Sequence, residues 1–224
     1  GAVLQQNVLE FFRKRGGEPE GFHRGVALPL AEQLHAYLEQ LPFVLCSSLA
    51  GEVRRGTETA AEVIIAAVLQ EQPPEALAKL LLEIPGISSL EHTGEGFYLE
   101  TLVGMPVRVM LYSAVEYPTR LVWLTGSPEH WEQLQEYAAR LGFQLDRDAL
   151  VKMGAWAALE TEADLYRTLG LQFIPPELRE GRGEIDAAAA GKLPCLVELS
   201  QIRGDLHLHS NWSDGHATIE EMRA

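Results

Sequence analysis

Short apolar runs separated by turn residues dominate the chain between Pro42 and Tyr112, and this pattern restricts the fold more than any other feature. The intervening turn residues include Gly94, Gly104 and Pro106. Runs of this length between Gly and Pro are typical of β-strands joined by hairpin-like turns. The pattern therefore predicts strands at residues 43–49, 62–69, 86–92, 96–102 and 107–112.

Apolar residues at helical spacing flank these strands. They predict a helix within 2–15 that ends at Gly16–Pro19, and a second helix that Pro29 opens. A third helix starts at Pro73-Pro74, and a fourth runs from Pro128 to Gly142. Residues 162–169 and 184–190 are helix-prone, and 174–183 favour a loop. Strands crowded in the middle of the chain with helices on one side indicate the α+β class.

Composition indicates an ordinary globular protein. With 224 residues, 46% of them hydrophobic, the chain can form one sizeable domain and a smaller appendage. No apolar run approaches the roughly 18 residues of a membrane span, and the first thirty residues do not resemble a signal peptide, so we expect a cytoplasmic protein without a membrane partner. Cys46 and Cys195 lack metal-ligand spacing, and we expect both to be buried thiols.

The charge of the chain argues against a strong DNA clamp. There are 32 acidic and 18 basic residues, which gives a formal net charge of −14. DNA presents a dense negative charge that a binding protein neutralises with Lys and Arg. The acidity can reflect solubility alone, and a local basic patch is still compatible with it.

Residues 50–64 carry the most informative motif, A-G-E-V-R-R-G-T-E-T-A-A-E-V-I. It resembles the palm signature of family X DNA polymerases, G-S-x-R-R-G-x-E-T-x-G-D-[LIV]-D. Residues 123–130, W-L-T-G-S-P-E-H, resemble the later F-T-G-S-x-x-H of that family, and residues 169–185 resemble its thumb-to-linker segment. The positions that match in register are Arg54, Arg55, Gly56, Glu58 and Thr59.

The resemblance implies a metal site that this sequence has largely lost. Two Mg²⁺ ions in active family palms are held by three carboxylates, two of them in D-x-D on one strand. The corresponding positions here are Glu62 and Ile64. The third carboxylate aligns with Pro106. We therefore expect no catalytic residues and no metal cofactor in this palm.

The implied nucleotide site is altered as well. Glu52 follows Gly51 where the family has serine, and it would place a carboxylate beside a triphosphate. Arg55 matches a triphosphate-contacting arginine, or else is solvated or paired internally with Glu52 or Glu58. Thr125-Gly126-Ser127 match a nucleotide-side turn, or else cap the helix that Pro128 opens.

Residues 204–215 contain H-x-H-x-x-x-S-D-G, which resembles the first motif of PHP phosphoesterases. The resemblance implies that His207, His209 and Asp214 are ligands for Zn²⁺ or Mn²⁺ in a complete PHP domain. Further ligands come from later motifs in that family. We therefore expect an incomplete, unmetallated site in this chain.

Together, the motifs predict a fragment of a DNA-repair protein of the bacterial family X polymerase and PHP type. The first hypothesis is an inactive palm that acts as a scaffold or DNA-positioning module, with gapped or primer-template DNA as partner of the parent protein and weak or absent binding here. The alternatives are an active polymerase with relocated carboxylates and a protein-interaction module; no oligomeric state is predicted. The expected regions are fingers-like helices (1–41), a nucleotidyltransferase-like palm with a mixed sheet (42–142), a small thumb (143–183), a linker (184–203) and the truncated start of a PHP barrel (204–224).

Overall fold

A five-stranded mixed sheet lies at the centre of the fold. The structure is a computed structural model that describes residues 21–70, 74–204, 207 and 209–223; the helix expected at 2–15 lies outside these residues. The order of the strands is β2-β4-β7-β6-β5, and β4 and β7 are parallel while the other neighbours are antiparallel. All five predicted strands are confirmed: β2 Val44–Ala50, β4 Val63–Leu69, β5 Ile87–Thr93, β6 Gly96–Thr101 and β7 Pro106–Leu111.

Two helices, α1 (Arg24–Glu39) and α3 (Pro74–Leu82), cover one face of this sheet. The prediction that Pro29 opens α1 is wrong, because the helix begins five residues earlier and contains Pro29. Proline removes one backbone hydrogen bond from a helix interior. The helix nevertheless continues through Pro29, with Ala27 ahead of it and Ala31 behind it buried in the core. Phe22–His23 (β1) precede α1 and pair with Thr59–Ala60 (β3).

Helix α4 (Tyr117–Thr125) covers part of the other face, and a short helix, α2 (Gly51–Arg55), follows β2. The sequence patterns predicted neither. Gly51 has φ +63°, and a Cβ there would lie 3.1 Å from Cδ1 of Ile64. Gly51, at the start of α2, and Ile64, on β4, therefore lie next to each other.

A second apolar core includes the region expected to be the thumb and extends beyond it at both ends. It combines α5 (Pro128–Arg140), a three-stranded sheet, α6 (Glu162–Thr168), a 3-10 turn at Pro176–Leu178, and α7 (Glu184–Ala189). The small sheet consists of β8 (Phe143–Leu145), β9 (Leu150–Lys152) and β10 (Ala155–Trp156). Ile185 and Ala188 are buried in this core, so residues 184–189, predicted to be helix-prone, pack against it.

Pro194–Ala224 form a separate unit. Its described residues contain two 3-10 turns, Leu199–Gln201 and Glu221–Arg223, and no strand. The expected PHP strand depends on residues 205, 206 and 208, which lie outside the described part of the chain, and it stays a prediction. None of the helices among the described residues has the length and apolar character needed to cross a membrane.

The prediction of two buried thiols is wrong, because Cys46 and Cys195 are both exposed. Cys46 lies on β2, which is an edge strand of the sheet. Cys195 lies in the second unit, among residues without regular structure.

Candidate functional site

The carboxylate of Glu62 is engaged by Arg108 on the neighbouring strand. Nε of Arg108 donates to Oε2 of Glu62 at 2.7 Å, and Nη2 contacts the other carboxylate oxygen. The parallel register places Arg108 opposite Ile64, so its side chain reaches the residue just before β4. A two-point contact of this kind is among the stronger ionic hydrogen bonds in proteins. The one carboxylate that remains at the three aligned metal-ligand positions is therefore neutralised within the protein.

The other two aligned positions provide no oxygen ligand. Ile64 is 8% exposed and packs in an apolar cluster with Ala66 and Met110. Pro106 begins β7 and pairs with Glu100. Mg²⁺ requires oxygen ligands in near-octahedral geometry. The three side chains at positions 62, 64 and 106 therefore do not fit a pair of magnesium ions.

The two adjacent arginines of α2 both donate hydrogen bonds to Thr125 at the end of α4. Nη1 of Arg54 donates to Oγ1 of Thr125, and Nη1 of Arg55 donates to its backbone carbonyl, both at 2.9 Å. Nε of Arg55 also donates to Oε1 of Glu180 at 2.6 Å. Arg55 is thus internally paired, with Glu180 in place of the two partners considered from the sequence. Glu52 instead accepts the backbone N–H of Ala61 at 2.7 Å.

Glu162, at the start of α6, binds both Arg54 and Arg179. The guanidinium of Arg179 is fully buried. Glu162 accepts two hydrogen bonds from Arg54, at 3.0 and 2.6 Å, and one from Arg179 at 2.6 Å. Burial would raise the pKa of Glu162, but Arg179 and Arg54 outweigh that effect and lower it. Arg179 also donates to the carbonyl of Ile174 and lies 5.2 Å from the ring of Tyr166. The resemblance of residues 169–185 to the family does not by itself indicate these contacts.

The turn at 125–127 forms a helix start. Oγ of Ser127 accepts the backbone N–H of His130 at 3.1 Å, which confirms the N-cap interpretation. A Cβ on Gly126 would lie 2.7 Å from Cδ2 of His130, so the close approach of the imidazole requires glycine. Thr125 is fully buried beneath the two arginines of α2.

His130 itself is buried between two partners. Its Nδ1 lies 2.6 Å from Oε1 of Glu184, and its Nε2 lies 3.1 Å from the hydroxyl of Tyr166. Burial lowers the pKa of His130 even though Glu184 opposes this shift. Burial would raise the pKa of Glu184, but the hydrogen bond from His130 and backbone N–H groups, including that of Gly181, lower it. At neutral pH the pair is a neutral imidazole beside a carboxylate.

Arg120 of α4 bridges the palm sheet and the thumb. Its Nη1 lies 3.0 Å from Glu95, between β5 and β6, and its Nη2 lies 2.5 Å from Asp148, between β8 and β9. The guanidinium also lies 4.9 Å from the ring centre of Tyr112. Burial, together with Glu95, raises the pKa of Tyr112 to about 12. No local sequence pattern indicated this bridge.

In the second unit, two of the three expected metal ligands are in contact. Nδ1 of His209 lies 2.5 Å from Oδ1 of Asp214, and this hydrogen bond lowers the pKa of Asp214. The rings of His207 and His209 have centres 5.2 Å apart. Imidazole nitrogens with a carboxylate oxygen suit Zn²⁺ or Mn²⁺. Among the described residues, no group of three or more His, Cys, Asp or Glu is arranged to hold a metal ion.

Comparison with known proteins agrees with this architecture. Residues 120–180 match the family described as DNA polymerase beta thumb. This segment runs from Arg120 in α4 to Glu180, the partner of Arg55, and so begins within the region that the sequence assigned to the palm.

The chain is also similar to the DNA polymerase/3'-5' exonuclease PolX of Bacillus subtilis (strain 168), with 31% identity over 231 residues. The match covers 99% of this chain and 39% of the relative, so the chain spans about two fifths of that protein's length. The matched thumb and this similarity along almost the whole chain agree with the motifs at 50–64 and 123–130. The chain belongs to the family X, polymerase beta-like DNA polymerases.

Proposed function

We propose that this chain is the DNA-positioning part of a DNA-repair protein and that its palm does not catalyse nucleotidyl transfer. The observation that carries the proposal is the ion pair of Glu62 with Arg108, beside Ile64 and Pro106. Two-metal phosphoryl transfer depends on carboxylates that stabilise both the attacking and the leaving oxygen. One neutralised carboxylate cannot hold two ions.

Among the described residues, three carboxylates around the palm already have partners within the protein. Glu95 and Asp148 are both bound to Arg120, and Glu52 accepts a backbone N–H. Each is therefore committed to a protein partner. This arrangement does not favour the alternative of an active polymerase with relocated ligands.

A scaffold role is supported by the ionic links between palm and thumb. Arg54 and Arg55 of the palm bind Glu162 and Glu180, and both arginines hold Thr125. Buried, charge-assisted contacts restrict motion between the parts they join. The palm then presents the thumb in one orientation, as a DNA-positioning module requires.

Hydrolytic chemistry in the longer protein would belong to a PHP domain. His207, His209 and Asp214 would supply three of the ligands of a Zn²⁺ or Mn²⁺ centre, whose metal ions activate water against a phosphodiester. The contact of His209 with Asp214 supports this part of the proposal. The matched relative carries 3'-5' exonuclease in its name.

Primer extension on gapped DNA tests the catalytic part of the proposal. We expect no incorporation of nucleotide by this chain with Mg²⁺ or Mn²⁺, and the same result with a Glu62→Gln variant. Template-dependent incorporation that Glu62→Gln abolishes would overturn the proposal and favour an active polymerase.

DNA binding tests the positioning part. We expect a measurable gel shift with gapped DNA at about 50 mM salt that weakens steeply towards about 200 mM, because phosphate contacts release counterions. The absence of binding to gapped, duplex and single-stranded DNA at the lowest salt would instead favour a protein-interaction module.

A further inference from the structure

Arg140, Arg147 and Lys152 are basic side chains of the thumb that stand outside the ion-pair network. Arg140 ends α5, Arg147 lies between β8 and β9, and Lys152 ends β9; all three are exposed. Within the described part of the chain, no carboxylate forms an ion pair with any of them. By contrast, most arginines of the palm and thumb are bound to carboxylates, namely Arg54, Arg55, Arg108, Arg120, Arg167 and Arg179.

Each of these three cations lies over an aromatic ring. The distances to the ring centres are 5.3 Å for Arg140 over Tyr137, 4.6 Å for Arg147 over Trp123 and 4.3 Å for Lys152 over Phe143. Tyr137 and Phe143 pack against the thumb core, and Trp123 packs against the apolar cluster beneath α4. The rings are therefore anchored, and each holds its cation at a set place on the surface.

A cation stacked on a ring keeps its charge for a second partner. An arginine guanidinium can stack on an aromatic face while its N–H groups bind phosphate. Holding the side chain in advance also reduces the entropy lost when a ligand binds. The thumb thus offers fixed positive charges on a protein whose overall charge is −14.

Arg147 and Lys152 lie at opposite ends of the hairpin formed by β8 and β9. Lys152 is the cross-strand partner of Phe143, and Arg147 lies beyond the opposite end of β8. A three-residue strand is about 10 Å long. Successive phosphates advance by about 3.4 Å along the axis of one DNA strand, so the length of β8 is comparable to the axial rise over about three nucleotides.

The two carboxylates that flank Arg147 in the sequence have other partners. Asp148 is bound to Arg120, and Oδ1 of Asp146 accepts the backbone N–H groups of Asp148 and Ala149 at 2.9 Å. Arg140 is less available, because it lines a cavity together with Glu136 and Asp186. The contribution of Arg140 is therefore the smallest of the three.

We propose that Arg147 and Lys152, with a smaller contribution from Arg140, form an edge of the thumb that binds the sugar-phosphate backbone of DNA. This inference rests on the proposed DNA-positioning role and names the side chains that perform it. It assigns the binding to a local patch rather than to the net charge of the chain.

The test compares two double variants of equal charge by fluorescence anisotropy with gapped DNA between about 50 and 200 mM salt. For Arg147→Gln with Lys152→Gln we expect at least about tenfold weaker binding and a slope of log K against log salt that is shallower by about 2, since each phosphate contact contributes about 0.9. The control, Lys79→Gln with Lys192→Gln, removes two exposed lysines elsewhere and should change the affinity less than about threefold.

Each outcome decides the proposal. Unchanged affinity and slope in the first double variant would contradict the proposed patch and leave the DNA-positioning role untouched. An equal loss of affinity in the control would show that the effect comes from net charge alone, which would also contradict the patch. No DNA binding by the unmodified chain would overturn both. Should the double variant unfold, the single variants Arg147→Gln and Lys152→Gln decide, each with an expected slope change of about 1.

Discussion

Glu180 accepts a 2.6 Å hydrogen bond from Nε of Arg55, although the two residues are 125 positions apart in the sequence. The contact joins helix α2 of the palm to the segment that follows the thumb's 3-10 turn. With the neighbouring pair of Arg54 and Glu162, it makes the arginine motif a structural connection between palm and thumb. The stability of the chain should therefore depend on these pairs.

A double-mutant cycle on Arg55→Gln and Glu180→Gln should give a coupling energy of about 1–3 kcal/mol in urea unfolding, because the pair is mostly shielded from water. The control is the pair of Arg167 with Asp164, whose arginine is 76% exposed. That cycle should give at most about 0.5 kcal/mol. Equal coupling in the two cycles would contradict a structural role for Glu180.

Glu162→Gln should lower the free energy of unfolding by about 3–5 kcal/mol, because it leaves two guanidiniums, including the buried Arg179, without their carboxylate. Glu160→Gln, two residues earlier and exposed, should change it by less than about 0.5 kcal/mol. Chemical denaturation of both variants measures the difference. A loss below about 1 kcal/mol for Glu162→Gln would show that the network contributes little.

Acidification below about pH 6.5 should destabilise the chain through His130, whose pKa is lowered by burial and, to a smaller extent, by Arg179 and Arg55. Because the pKa of His130 is lower in the folded state, the unfolded state binds more protons. The contribution of His130 to the free energy of unfolding is therefore fully present above the unfolded pKa of about 6.5 and is lost as the pH falls through the folded pKa. Glu184, whose pKa is also lowered, adds a further loss below about pH 4.3.

Unfolding free energies at pH 7, 6 and 5 measure this dependence. His130→Gln should flatten the slope between pH 7 and 5, whereas His92→Gln, at an exposed position on β5, should leave it unchanged. A slope in His130→Gln equal to that of the unmodified chain would assign the pH dependence to other groups.

Ile64→Asp should destabilise the palm by about 3–5 kcal/mol, because it places an unpaired charge in an apolar cluster. Ile64→Val is the matched control and should cost about 0.5–1.5 kcal/mol. Urea unfolding measures both. An Ile64→Asp variant as stable as the control would mean that position 64 reaches solvent more readily than its packing implies.

Restoring all the altered positions tests the alignment. The variant with Glu62→Asp, Ile64→Asp, Pro106→Asp and Glu52→Ser should bind a deoxynucleoside triphosphate with Mg²⁺ more tightly than the unmodified chain, since it supplies oxygen ligands and removes a competing carboxylate. Titration calorimetry measures the affinity, and the same variant without Ile64→Asp is the control. Unchanged binding in a folded quadruple variant would count against the alignment of these four positions with the family motifs.

The tail of this chain should bind Zn²⁺ weakly, because His207, His209 and Asp214 provide three donors and a closed structural zinc site uses four. Dialysis followed by metal analysis should find well under one Zn²⁺ per chain, reduced further by Asp214→Asn. Retention of one tightly held Zn²⁺ per chain would show that the first motif suffices for a site.

The sequence alone determined the strands of the central sheet and most helices, because their signals are local. Apolar runs between Gly and Pro marked β2, β4, β5, β6 and β7, and Pro128 with Gly142 marked α5. Helix α4 was not predicted because seven of its nine residues are buried, which leaves no polar face to give a helical period. The start of α1 was mispredicted because proline is typical of the first turn of a helix, whereas Pro29 lies inside this one.

The sequence also identified which residues of the family motifs are replaced at positions 52, 62, 64 and 106, since that comparison needs only the order of residues. It did not determine what the remaining charges do. Arg108 lies 46 residues from Glu62, and Glu162 lies 108 residues from Arg54. An arginine accepts any carboxylate within reach, so only the packing of palm against thumb selects its partner and decides which cations are left to face solvent.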